Sequence, residues 1–342
     1  MNNIITNKEI GSEFWDVPIC ECSNSLFPKN TEWYLSGRSA LIAIIKDIKT
    51  RIQFNKVALP SWCCDSMIIP FLMEGISVNF YSVYYEKQKI QYDFSNIHNC
   101  EAMLIMDYFG YIRNIVPEFK GIIINDTTHS FFSLKANNFD YTFGSLRKWA
   151  GFLTGGFAYK KTNEKMQNND CLDIENYISA RRKAMSKKFN FITGKTKSKE
   201  FLSDFAFAES FLEKYPCGRA ADIDIFRAKK LDVKFVKERR RENASVLLKN
   251  LSEYAIFPEI KENDCPLFVP IRVPNEKRNS LKQYLIEHKI YCPIHWPITE
   301  YHILNHKTRL LYEQELSVVC DQRYSTEQMK IVCNKIKKFL EG

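Results

Sequence analysis

Two short runs of apolar residues set the strongest limit on this chain: 102–107 (AMLIMD) and 121–125 (GIIIN), each bounded by turns. A strand with one face in water alternates polar and apolar side chains, whereas a strand buried on both faces does not. The two runs therefore predict inner strands of a mostly parallel sheet that lies between helices. The residues around them alternate between helical and strand patterns. Residues 40–51 (ALIAIIKDIKTR) have helical spacing, 56–60 (KVALP) read as a short buried strand, 66–74 as a helix ending at Gly75, and 76–81 (ISVNFY) as the next strand. Residues 140–144 form a further strand candidate, and 157–160 can return antiparallel.

From about residue 171 the chain turns polar, basic and helical in pattern, with a long helix expected over 233–251. After residue 252 the pattern becomes α+β: a strand at 267–273, an amphipathic helix at 279–288, a strand at 290–294 and a closing helix at 325–340. Ser325 is the expected N-cap of that last helix, with Gln328 three residues on. The length of 342 residues suits two domains. We read a large α/β domain at 1–250 and a smaller α+β domain at 251–342.

Composition narrows the class. No apolar run is long enough to span a bilayer. The opening MNNIITNKEIGSEFW has no basic start followed by an apolar stretch, so no signal peptide is expected and the reading is cytoplasmic. The 11 cysteines are odd in number and include no C-x-x-C pair, which fits free thiols in a reducing compartment. The six histidines form neither H-E-x-x-H nor H-x-H, so no metal site is expected. The net charge of +9 is concentrated in 181–199 and 229–241. Such runs are ordinarily solvated faces, and the functional alternative is attraction of an anionic substrate such as a phosphate ester. No helix-turn-helix, zinc module or RNA-type aromatic motif accompanies them, so nucleic acid is not expected as a partner.

Four local features carry chemistry. Ser36-Gly37-Arg38-Ser39 directly precedes a helix, where free N–H groups and the positive dipole end can cradle an anion; the plainer alternative is a simple cap. Asp126 ends the GIII strand, where ligands bind in open α/β sheets. It suits the anionic partner of a pyridinium nitrogen, with His129 three residues on, or it begins a turn that His129 caps. Lys148 follows a predicted strand beside Trp149 and Phe152, where burial would depress its pKa and suit a Schiff base; otherwise it is one more surface lysine. Ser145 precedes it and can donate to a phosphate, and Gly155-Gly156 lets backbone pass close to a ligand. His295-Trp296 sits between Pro293 and Pro297, either projecting into a cleft between the domains or forming a packing corner.

Taken in series, SGRSAL, LPSWCCDSM, DYFG, INDTTHS, SLRKW with its following Gly-Gly, and YCPIHWP resemble the fold-type I pyridoxal-phosphate enzymes, most of all the sugar aminotransferases that include DegT and StrS. The resemblance runs over nearly the whole chain, because the tail at 316–339 also resembles that family's closing helix. It implies a three-layer α/β fold and pyridoxal 5'-phosphate carried by Lys148, which would also move the proton. Asp126 would pair with the ring nitrogen, and His129 would stand near the ring hydroxyl. Gly37, Arg38, Ser39 and Ser145 would hold the phosphate, Trp62 would stack on the ring, and His295 would lie near the substrate. The implied reaction moves an amino group from glutamate to a keto-sugar nucleotide in polysaccharide or secondary-metabolite synthesis, in a homodimer. Two alternatives are a pyridoxal-phosphate enzyme acting on an amino acid by decarboxylation or condensation, and a non-catalytic protein of the same fold. The chain departs from the family's pattern at Phe143, five residues before Lys148, where a serine is usual. The segment that lends an asparagine across the dimer is also not evident.

Overall fold

The computed structural model describes residues 9–23, 26–113, 115–133, 139–162, 164–166, 174–214 and 217–342. Its first half comprises β1 (Ile10–Gly11), β2 (Glu32–Tyr34), α1 (Gly37–Lys49), β3 (Lys56–Pro60), α2 (Asp65–Met73), β4 (Ser77–Glu86), β5 (Lys89–Asp93), β6 (Ala102–Met106), β7 (Ile122–Asp126), β8 (Tyr141–Ser145) and β9 (Gly156–Lys160). A helical stretch follows: α3 (Glu175–Ile192), α4 (Phe201–Lys214), α5 (Asp222–Lys230) and α6 (Val233–Leu251). The remainder is β10 (Phe268–Arg272), α7 (Asn275–Glu287), β11 (Ile290–Tyr291), α8 (His306–Gln314), β12 (Glu315–Val319) and α9 (Thr326–Glu341).

The central sheet has the order β2-β9-β8-β7-β6-β3-β4-β5. Its middle is parallel from β8 through β4; β9 and β5 run against it, and edge strand β2, antiparallel to β9, shares the direction of the middle. All five residues of β6 are buried, as an unbroken apolar run requires, and so are all five of β8, Thr142 and Ser145 included. Phe157 and Ala158 are neighbours in β9 yet belong to different cores, because successive side chains of a strand point to opposite faces. On one face Ala158 shares a core with Leu41, Ile44 and Ile45 of α1 and Phe71 of α2. On the other Phe157 shares one with Ala228 of α5 and Val236 of α6. Helices thus cover both faces, giving the three-layer arrangement expected.

A second core gathers Val269 and Ile271 of β10, Leu316 and Val318 of β12, Leu281 and Leu285 of α7 and Val332 of α9. Burying each of these leucines and isoleucines is worth roughly 2 kcal/mol. Ala244, Leu247, Leu248 and Leu251 of α6 and Ile10 of β1 join the same core, so α6 serves both parts of the chain. The capping box at α9 forms as read, with Ser325 accepting from the Gln328 backbone and Gln328 accepting from the Ser325 backbone. Helix formation in the tail begins at Thr326, as the Ser325 cap predicts. Residues 315–319 pair antiparallel with β10, because this apolar stretch is buried throughout and completes a two-stranded sheet. The strand expected at 290–294 is reduced to the two residues of β11, which pair with β1.

One close approach joins the two parts. Phe109 and Gly110 adopt φ of 53° and 86°, and the Phe109 carbonyl accepts from the Leu267 N–H at 2.7 Å. A Cβ on Gly110 would stand 1.9 Å from the Cys265 carbonyl oxygen, so only glycine permits this contact.

Candidate active site

The C-terminal ends of β7 and β8, the N-terminus of α1 and the segment after β11 surround one cleft of ≈ 740 Å³. This is where open α/β sheets bind ligands. Asp126, at the end of β7, lines it at 4% exposure. The Asp126 Oδ1 accepts from the Thr128 N–H at 2.7 Å. Burial nonetheless pushes its carboxyl up from 3.8 to about 6, against the opposing pull of the Thr128 hydrogen bonds and the Lys148 charge. A buried carboxylate in this condition is stabilised by any cation brought against it.

Lys148 ends the short turn Leu146–Lys148 that follows β8, and it lines the same cleft. Burial beside Trp149 and Phe152 was the expectation. Lys148 is exposed instead, while both aromatic neighbours are fully buried. The difference arises because Trp149 turns inward: its indole N–H donates to the Thr128 carbonyl at 2.8 Å, and Lys148 is left facing the opening. That bond ties the lysine's turn to the loop that holds Asp126. The Trp149 carbonyl is fixed in turn by the Gln322 amide at 2.7 Å, and the Arg240 guanidinium lies 4.7 Å from the Trp149 ring centroid.

His129 is buried in the cleft wall, and its Nδ1 has no hydrogen-bond partner among the described residues. Burial first, and the Lys148 charge second, lower its pKa from 6.5 to about 3. His295 also lines the cleft, 5.5 Å from His129 between ring centroids, and its Nδ1 lies 2.9 Å from the Ser317 hydroxyl. Burial, with His129 and Lys148 nearby, holds it well below the usual histidine range. Both rings are therefore neutral at physiological pH and available as hydrogen-bonding groups. Trp296 stacks on His129 at 5.4 Å and completes this aromatic wall.

At the other side of the cleft, Ser36 caps α1, accepting from the Ser39 N–H at 3.2 Å. No acidic residue occupies the first turn, so the positive end of the helix is uncompensated. Ser36, Gly37, Arg38 and Ser145 line the cleft, and a Cβ on Gly37 would meet the Ser145 Cβ at 3.3 Å. Ser39 does not line it: its N–H and hydroxyl turn back to Ser36 and its side chain is buried, so Ser36 takes the place expected for Ser39. Gly155-Gly156 has a different use from the one expected. A Cβ on Gly156 would stand 2.1 Å from the Ser36 carbonyl oxygen, so this glycine lets β9 approach the cap of α1.

Trp62 is also not where it was expected. It is fully buried, its ring stacked on Tyr108 at 4.5 Å and its indole N–H donating to the His295 carbonyl at 3.0 Å. The Trp62 carbonyl accepts from the Tyr108 hydroxyl at 2.7 Å, which draws the residue inward and away from the cleft. The loop reaches the cleft two residues later, through Cys64, Ser66 and Met67. Sequence reasoning also missed the buried cations. Arg181 and Arg240, taken as parts of solvated basic runs, are 2% and 0% exposed, and both line the cleft together with Arg147 and Arg323. The signal that could have found them is helical periodicity: Arg181 falls in phase with the buried Tyr177, Ala184 and Met185, and Arg240 with Val236, Asn243 and Ala244.

No family model matches the chain, and no curated protein matches it. Solved structures do. A Streptococcus pneumoniae protein described as a sugar aminotransferase, Spr1654, in its PLP form, superposes with a TM-score of 0.64 at 14% identity, covering 98% of this chain and 99% of that one. NtdA from Bacillus subtilis, solved with bound PMP, matches at 0.63 and 14% identity over 93% of this chain and 74% of its own. Helicobacter pylori PseC, an aminotransferase of pseudoaminic acid biosynthesis, matches at 0.59 and 15% identity over 96% and 100%. Across nearly its whole length, the chain has the type I aminotransferase fold.

Proposed function

We propose that this protein is a pyridoxal-phosphate-dependent aminotransferase that moves an amino group from glutamate to a keto-sugar nucleotide. The observation that carries the reading is that Lys148 and Asp126 share one cleft: a lysine facing the same space as a buried carboxylate that makes no salt bridge among the described residues. When bound, the cofactor supplies an electron-accepting ring. The residues present fit it. Asp126 offers the negative charge a protonated ring nitrogen needs, and the unpartnered Nδ1 of His129 offers a hydrogen bond beside it. Ser36, Gly37, Arg38 and Ser145 would hold the phosphate against the open N-terminus of α1.

Lys148 Nζ, held at the opening by the inward-turned Trp149, would hold the cofactor through its aldehyde carbon and would then take up and return the proton of the substrate carbon. The neutral His295, beside Ser317, would stand near the substrate. The surplus of arginine and lysine over acidic side chains in the cleft favours an anionic substrate. The titles of the matched structures support the sugar class, since Spr1654 is described as a sugar aminotransferase and PseC as an aminotransferase of pseudoaminic acid biosynthesis. We further read the chain as a large domain at 1–250 and a small one at 251–342, acting as a cytoplasmic homodimer without nucleic-acid or membrane partners. Among the described residues no helix is long and apolar enough to cross a membrane.

The test is a half-reaction screen. Glutamate, added alone to the cofactor-loaded protein, is expected to convert the cofactor to its amino form, with release of 2-oxoglutarate. Loss of carbon dioxide instead, or no change with any amino acid tried, would overturn the aminotransferase reading.

A further inference from the structure

We propose that Arg147 and Arg181 form an oxyanion subsite for the substrate, and that Glu209 fills this subsite as a built-in competitor. The inference deepens the reading above and rests on it. Arg147 directly precedes Lys148 in the chain, Arg181 comes from α3 and Glu209 from α4, and all three line the cleft. The two guanidiniums converge on one atom. Both donate to Glu209 Oε1, Arg147 through Nη2 and Arg181 through Nη1 at 2.8 Å. A single carboxylate oxygen between two guanidinium forks leaves donors unused, and the Arg147 Nε is buried without a hydrogen-bond partner among the described residues. A phosphate or a carboxylate offering several oxygens to both forks would satisfy more of them.

The burial pattern separates a fixed part from a movable one. The side chain of Arg181 is 2% exposed and that of Arg147 15%, whereas that of Glu209 is 45% exposed. Arg181 is held in place by its Nε donating to the Phe152 carbonyl at 3.1 Å, with its guanidinium 5.5 Å from the Phe205 ring centroid. The other nearby carboxylate, Glu13, lies 3.9 Å from Arg181 Nη2 with its side chain 48% exposed. The cations are therefore built into the wall, and the carboxylates that neutralise them can turn out to solvent when another anion enters. The site is near the reacting amine, because the charge of Lys148 acts on the Glu209 carboxyl.

The ligand chemistry is an oxyanion with two sources: the diphosphate of a nucleotide-linked substrate or the distal carboxylate of a dicarboxylate amino donor. Titration calorimetry on the full chain, pre-incubated with pyridoxal phosphate to engage the α1 terminus, would use inorganic pyrophosphate and glutarate as separate probes. Glu209→Gln removes the competitor at an exposed position, and about tenfold tighter binding of at least one probe is expected. Arg147→Gln is expected to weaken the same probe by about tenfold or more, with a thermal midpoint close to that of the wild type. The probe that responds identifies the source. The subsite is overturned if Glu209→Gln binds both probes as the wild type does, or if Arg147→Gln leaves both unchanged. Borohydride trapping at Lys148 in the same preparations separates the two claims: trapping with no response to these variants removes the subsite alone, and the expected responses without trapping remove only the cofactor reading.

Discussion

Replacing Asp126 by asparagine should stabilise the cofactor-free protein while weakening its hold on the cofactor. Burial places the carboxyl at about 6 in the folded chain, against an ordinary value of 3.8. Below 3.8 both folded and unfolded states carry the proton, and the buried group costs the fold nothing. As pH rises from 3.8 to about 6 the unfolded chain ionises first, so stability falls; above about 6 the penalty is complete. At about 1.4 kcal/mol per pH unit, that interval corresponds to about 3 kcal/mol. Asparagine keeps an oxygen for the Thr128 N–H and carries no charge to bury. Urea unfolding of cofactor-free wild type and Asp126→Asn between pH 4 and 8 measures the difference. The variant should be more stable by up to about 3 kcal/mol at pH 7.5, with the gap closing toward pH 4. Added pyridoxal phosphate should then stabilise the wild type more than the variant, because only the wild type offers a charge to the ring. A variant less stable at pH 7.5, or a difference that does not change with pH, would refute the reasoning.

Other perturbations reach the frame and the assembly. Gly110→Ala puts a methyl group against the Cys265 carbonyl at a positive φ, and should cost about 2 kcal/mol or more, read as a lowered thermal midpoint. Trp149→Phe removes the hydrogen bond to the Thr128 carbonyl; a loss of about 1 kcal/mol is expected in urea unfolding, with slower capture of the cofactor by Lys148. Light scattering on the purified protein should give twice the chain mass, and a fully active monomer would contradict the dimer.

What the sequence disclosed and what it withheld divide along the range of the interactions. The inner strands were legible because two-sided burial leaves an unbroken apolar run; β6 shows it in full, while Ile122 and Ile123 at the start of β7 are half-buried. The α9 cap was legible because Ser325 and Gln328 act within one turn. That Asp126 and Lys148 share a cleft was legible because one ends a strand, and the other lies in the turn after a strand, that the pattern had already placed. The strand at 315–319 went unread because its partner, β10, lies far off in the chain. Trp62 was misplaced by tertiary hydrogen bonds: Tyr108 and His295 turn it inward, and no local pattern records them. The same holds for Arg181 and Arg240, whose charges looked like surface until helix phase and packing put them inside.

The most direct test of the central claim is borohydride reduction of the protein in the presence of pyridoxal phosphate, followed by peptide mapping. The account predicts a phosphopyridoxyl group on the peptide that contains Lys148, and its loss in Lys148→Ala. Absence of any adduct in the wild type, or an adduct confined to other lysines while Lys148 stays free, would contradict it.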